Sequence, residues 1–135
     1  MKLLFIVNPI SGGVDKEPFL KQAKILCKNY GLEYVIFKTT GVNDHEEALK
    51  ILHKSKPSKV ISVGGDGTTL FTSILLLGTD YPMGIIPLGS ANGMATELFV
   101  NPSPIEAFKD IIMSDIVEGL DILLINNKHY TLHIG

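Results

Sequence analysis

Val60-Ile61-Ser62-Val63-Gly64-Gly65-Asp66-Gly67-Thr68, residues 60–68, carries a short β-branched run straight into a glycine-rich turn, after which the pattern becomes helical. The run is too continuous for a one-sided strand, in which apolar and polar residues alternate. It reads as a strand buried on both faces. Gly64, Gly65 and Gly67 let the backbone approach a ligand closely, and the helix that follows offers N–H groups and the positive end of its dipole. Strand, glycine turn and helix in that order predict a phosphate site.

Outward from this stretch, residues 3–7, 34–37 and 83–86 are further short apolar runs, and helical-period segments cover 16–29, 44–54, 68–77, 91–99 and 104–113. Continuous strands separated by helices predict a parallel sheet between two helical layers, a three-layer αβα fold of the α/β class. Leu20, Ala23, Leu26, Cys27 and Tyr30 form the apolar stripe of the first helix. In the second, His45, Ala48, Leu49 and Leu52 fall at i, i+3, i+4 and i+7, with Asn43 as N-cap and Glu46 at N3. This puts His45 on the buried face. Ser103, Pro104 and Glu106 announce the helix near 104.

From Asp115 the pattern changes: 116–125 and 129–134 read as strands joined at Asn126-Asn127, residues that tolerate a tight hairpin turn. The expected organisation is an α/β domain over residues 1–120, then over 121–135 the first hairpin of an antiparallel β domain that continues past Gly135.

Composition narrows the function classes. The 135 residues suit one domain, and 45% hydrophobic with 19% charged residues is ordinary for a soluble globular chain. A net charge of −2 supplies no global basic field, so nucleic acid is not implied. Cys27 has no second cysteine to pair with and reads as a core residue, which favours a reduced, cytoplasmic compartment. No apolar run approaches the roughly 20 residues of a membrane span. The apolar start is cut short by Asn8-Pro9, which argues for a buried strand over a signal peptide.

Three strand ends run into polar or glycine-rich turns: Asn8-Pro9-Ile10-Ser11-Gly12-Gly13, Gly64 through Thr68, and Pro87-Leu88-Gly89-Ser90-Ala91-Asn92-Gly93. In a parallel sheet the carboxyl ends of the strands share one edge, where ligands of open α/β sheets bind. One glycine pair makes only a tight corner; three such turns on one edge make a ligand site. Asp66 would repel a bare phosphate, and its place there makes sense if Mg²⁺ lies between them or if a substrate hydroxyl is deprotonated. Thr68 is suited to cap the helix or to bind a phosphate oxygen. Neither G-x-x-x-x-G-K-[ST] nor G-x-G-x-x-G is present.

In order and spacing, Asn8-Pro9-x-Ser11-Gly12, Gly64-Gly65-Asp66-Gly67-Thr68 and Pro87-x-Gly89-Ser90-x-Asn92 resemble the diacylglycerol kinase catalytic domain, with sphingosine kinases and bacterial lipid kinases as relatives. Gly-Gly-Asp-Gly-Thr is shared with the NAD kinases. The resemblance implies a Rossmann-like sheet with ATP across the strand ends, contacted near Asn8 to Gly12, by Thr39, by Gly65 to Thr68 and by Ser90. Gly64, Gly89 and Asn92 belong to the same implied binding set, and Asp66 is the implied catalytic residue and Mg²⁺ ligand. It further implies a lipid acceptor presenting a hydroxyl, a β-sandwich domain that holds it, peripheral membrane contact, and a homodimer as one compatible assembly.

The chain departs from that pattern at two places. Lipid kinases usually show Asn-Glu where Leu70 and Phe71 stand, an apolar start more like NAD kinase, and the usual Thr and Asp of the fourth-strand motif are Ser90 and Gly93. The alternatives are thus an NAD-kinase-like enzyme on a soluble hydroxyl and a nucleotide-binding module without turnover. His45, His53, His129 and His133 lack metal-ligand spacing with a cysteine and read as structural. Met83 and Met94 read as core. Lys50, Lys54, Lys56 and Lys59 form a solvated basic face that would also suit peripheral lipid contact.

Overall fold

The computed structural model describes residues 1–10, 13–89, 92–98, 100–113, 119–125 and 128–134. Strands β1 (Lys2–Val7), β2 (Glu33–Lys38), β3 (Lys59–Gly64) and β4 (Met83–Pro87) form one parallel sheet in the order β2-β1-β3-β4. Helices α1 (Glu17–Asn29), α2 (Asp44–Ser55), α3 (Asp66–Leu75), α4 (Gly93–Glu97) and α5 (Pro104–Met113) connect or follow these strands. This is the expected α/β architecture. Strands β5 (Gly119–Ile125) and β6 (Lys128–Ile134) pair antiparallel as a separate two-stranded sheet. The expected turn at Asn126-Asn127, and the expected strand and helix positions at 91, 99 and 116–118, lie outside the described residues, as do the side chains of Met94, His129 and His133.

The pleat of β1 divides the core, because successive side chains of a strand point to opposite faces. Leu3, Phe5 and Val7 join Phe19, Leu20, Ala23 and Cys27 of α1 and Ala107 and Phe108 of α5. Leu4 and Ile6 join Phe37 of β2, Ala48 and Leu52 of α2, and Leu75 of α3. With helices on both sides every β1 position from Leu3 to Val7 is buried, which is why the run shows no polar alternation.

Helix α3 meets the sheet through small hydroxylated residues. Thr69, Thr72 and Ser73 are buried, and each hydroxyl donates to the carbonyl four residues back, at 3.1, 2.8 and 2.8 Å. Their polarity is satisfied inside the helix, so it can lie close against β3.

Five local expectations are corrected. Strand β2 is an edge strand rather than one buried on both faces: Phe37 is covered and Tyr34 is exposed. Tyr30 lies beyond the last turn of α1, at its C-cap, and is exposed. Asn43 has a left-handed backbone (φ 53°, ψ 32°) and makes no side-chain cap bond, so the box with Glu46 does not form. The Asp44 carboxylate instead turns back onto the preceding loop. His45, in the first turn of α2, is exposed and meets Phe71 edge-on at 6.5 Å, while the helix buries Ala48 and Leu52. The expected basic face is also shorter, since the Lys59 ammonium donates to the carbonyl of Ile111 at the end of α5.

Phe108 ties α5 to the sheet and to α1, with ring centroids 5.5 Å from Phe5 and 5.9 Å from Phe19. Phe108→Ala is expected to lower stability in urea denaturation by about 3–5 kcal/mol. A loss below about 1 kcal/mol would show that this cluster does not hold α5 in place.

Candidate functional site

From β1 the chain moves outward to β2, then crosses back to β3 and continues to β4, so the direction of winding reverses between β1 and β3. The connections after β1 and β3 therefore diverge, α1 to one face and α3 to the other, and leave a crevice at their carboxyl ends. Asn8 follows β1 there, and its side-chain oxygen accepts the Ile10 N–H at 3.2 Å, an Asx turn that shapes the start of the loop. Pro9 is exposed beside it. Thr39 follows β2, and its N–H donates to the Val7 carbonyl at 2.8 Å, which holds the β2–α2 loop against the end of β1.

The β3 turn is built for close approach. A Cβ on Gly64 would lie 2.5 Å from Thr68 Oγ1, and Gly65 forms the N-cap of α3 in an extended conformation. The first helical bond runs from the Thr69 N–H to the Gly65 carbonyl, so the helix itself uses neither the Gly67 nor the Thr68 N–H. Space over Gly67 is open. Thr68 is not the cap. Its hydroxyl is enclosed against Gly64 and has no hydrogen-bond partner among the described residues, so its backbone N–H is the group available to an anion.

The β4 turn rests on this one. The Leu88 N–H donates to the Gly64 carbonyl at 2.9 Å, and a Cβ on Gly89 would fall 2.3 Å from the Gly65 Cα. Gly89 therefore lies backbone to backbone on Gly65. Asn92 closes the turn from within: its side-chain oxygen accepts the Gly89 N–H and its amide donates to the Gly89 carbonyl, both at 3.1 Å. Asp66, half-buried at the first position of α3, accepts the Gly93 N–H at 3.1 Å at the start of α4. Ser11, Gly12 and Ser90 lie outside the described residues.

Two features of this edge escaped the sequence. Lys16, between Asp15 and Glu17, reads as a surface residue at a helix start, yet it is only 2% exposed. Burial pushes its ammonium below the usual lysine range, against the opposing pull of Asp15. In the β2–α2 loop the Asp44 carboxylate accepts the Thr40 and Gly41 N–H groups at 2.8 and 2.9 Å, and these bonds lower its pKa. The sequence pointed to Asn43 as the cap, and the bonds made here run backward from Asp44 to the loop instead of into α2.

The fold agrees with the comparisons. The family model described as "Diacylglycerol kinase catalytic domain" matches residues 2–125. This chain belongs to that family. A diacylglycerol kinase of Mycobacterium tuberculosis is 28% identical over 121 residues, covering 90% of this chain and 39% of the relative. Sphingosine kinase B of Dictyostelium discoideum is 29% identical over 140 residues, covering 96% of this chain and 18% of that protein. A crystal structure of a Bacillus anthracis diacylglycerol kinase aligns with a TM-score of 0.74 at 29% identity, over 96% of this chain and 47% of that one. The chain thus spans less than half the length of these relatives. Its relatives are kinases, and the turns described above fall inside the match to the diacylglycerol kinase catalytic domain.

Of the pair Leu70 and Phe71, Phe71 is half-buried against the cluster beneath α2 and α3. No group of three or more His, Cys, Asp or Glu that could hold a metal ion occurs among the described residues, and no described helix is long and apolar enough to cross a membrane.

Gly89→Ala should push the β4 turn off Gly65 and lower stability by about 1–3 kcal/mol, the scale of overpacking. Gly67→Ala, with open space above it, should leave the melting temperature unchanged or raise it slightly, since alanine suits a helix better. Equal melting temperatures for the two variants would refute the contact. For Asp44 the sign is set by its lowered folded pKa: the loop bonds are intact above the unfolded aspartate value of about 3.9 and are lost as pH falls through the lower folded value. NMR titration of the Thr40 and Gly41 amide shifts should give a midpoint below about 3.9.

Proposed function

We propose that this domain binds ATP with Mg²⁺ across the carboxyl ends of β1, β3 and β4, for transfer of the γ-phosphoryl group to a lipid hydroxyl. The observation that carries the reading is the stacking of Gly89 on Gly65, which brings two strand-end turns together at the N-terminus of α3. Backbone N–H groups of Gly67 and Thr68 and the positive end of α3 attract phosphate oxygens there. Asn8 and Thr39 flank the nucleotide on the β1 and β2 side, and Ser11, Gly12 and Ser90 complete the set that the family resemblance implies.

The donors present fit a Mg²⁺ that arrives with the nucleotide. Mg²⁺ takes one or two carboxylates and completes its shell with phosphates and water, and Asp66 is the carboxylate at the turn. When bound, the ion neutralises charge on the phosphates during transfer. Asp66 itself is the candidate either to hold that ion or to take the proton of the acceptor hydroxyl. The Gly93 N–H, bound to one carboxylate oxygen, orients the group. The acceptor on this reading is a diacylglycerol-like lipid. A soluble acceptor such as NAD is the alternative that Leu70 and Phe71 keep open.

The test uses the full-length protein with labelled ATP, Mg²⁺ and either diacylglycerol in mixed micelles or NAD. Labelled lipid with untouched NAD is expected, whereas NADP without labelled lipid would move the assignment to a soluble acceptor. Asp66→Asn should lower kcat by about 100-fold or more, the scale of removing a preorganised charge. Its effect on folding should stay within about 0.3–1 kcal/mol, the worth of a carboxylate at a helix N-terminus. Unchanged turnover removes Asp66 from the mechanism.

A further inference from the structure

Asn92 stands in the third glycine-rich motif, where a polar side chain beside a phosphate turn is naturally read as a ligand group. Its hydrogen bonds argue otherwise. The side-chain oxygen faces the Gly89 N–H and the side-chain nitrogen faces the Gly89 carbonyl, each at 3.1 Å. The orientation of the amide is fixed by its partners, because only oxygen can accept from the N–H and only nitrogen can donate to the carbonyl. Both ends of the side chain are therefore engaged by one residue of its own loop. Asn92 also starts α4, its carbonyl accepting from the Thr96 N–H and hydroxyl, both at 3.0 Å.

What this clasp holds is the contact on which the site depends. Gly89 lies so near Gly65 that a methyl group would not fit between them, and the neighbouring Leu88 N–H is bonded to Gly64. A Gly89 peptide free to rotate would shift against the turn that carries Gly67 and Thr68. We infer that Asn92 is a positioning residue: it fixes the Gly89 peptide against Gly65 and so sets the spacing of the two phosphate-binding turns, without itself touching the nucleotide. This rests on the ATP reading above.

Two substitutions separate positioning from direct contact. Asn92→Ala removes both bonds. Asn92→Asp keeps an acceptor for the Gly89 N–H but sets a second carboxylate oxygen against the Gly89 carbonyl, an arrangement that repels until the carboxyl is protonated and can donate. Mg·ATP affinity is measured by calorimetry, Gly89 and Gly65 amide shifts and exchange by NMR without nucleotide, and folding by melting temperature.

Asn92→Ala is expected to stay folded, to weaken Mg·ATP by about tenfold, and to move the Gly89 and Gly65 amides before any nucleotide is added. Asn92→Asp should behave alike at pH 7, and its Gly89 amide should return toward the wild-type shift as pH falls through the introduced carboxyl's pKa. Weakened ATP binding with both amides unmoved would overturn the inference and make Asn92 a direct ligand. ATP binding in both variants equal to that of a wild type that does bind ATP would also overturn it, while leaving the ATP reading intact. A wild type that binds no nucleotide removes the ATP reading and this inference together.

Discussion

The contact between Gly89 and Gly65 is the constraint from which the rest of this edge follows. Two backbones can approach so closely only where neither residue carries a Cβ, and the gap here is smaller than a methyl group. The Leu88 to Gly64 hydrogen bond prolongs the pairing of β3 and β4 beyond their last ladder position, Gly64 opposite Pro87. The two turns consequently form one rigid surface. Asn92 stiffens it from one side and the bond between Asp66 and Gly93 from the other. A ligand held across both turns meets donors whose spacing was fixed during folding, which limits the ordering cost of binding.

That surface needs a sheet able to bear it. Strands β1 and β3 are central, covered on both faces, and their ends lie side by side where the winding reverses. The crevice is thus a result of connectivity: α1 leaves β1 toward the Phe108 side and α3 leaves β3 toward the Leu52 side, so their starts diverge at the strand ends. Helix α3 contributes through its buried hydroxyls. A bulky apolar face would hold the helix farther from β3, whereas Thr69, Thr72 and Ser73, bonded to their own helix, let its N-terminus sit directly over the strand end.

The sheet was legible in the sequence because its strands are continuous apolar runs with glycine turns, a signal that depends on local composition and periodicity. The same rules located the turns at Asn8, Gly64 and Gly89. They did not reveal the bonds among those turns. Asn43 carried the pattern of a capping residue and lost that role to its left-handed backbone, and Asp44 looked like an ordinary first-turn acid yet folds back on Thr40 and Gly41. His45 had the right helical spacing for burial, but the sheet and α3 reach only Ala48 and Leu52 fully. Thr68 had the right chemistry for a phosphate ligand, and its hydroxyl is turned against Gly64. In each case a residue type fixes what a side chain is able to do, and the tertiary neighbour decides which option is taken.

Asp66 shows how such a choice bears on chemistry. A carboxylate inside an anion site is costly unless positive charge meets it, and here two sources are built in: the N-terminal end of α3, where it stands, and the Gly93 N–H, which it accepts. Both hold the carboxylate where the two turns meet, and the bond to Gly93 reaches from the β3 turn to the start of α4 and fixes one carboxylate oxygen. On the reading proposed for the site, that fixed position is what either role of Asp66 needs, since a group that holds an ion brought with the nucleotide, or takes a proton from an acceptor hydroxyl, acts only within reach of it.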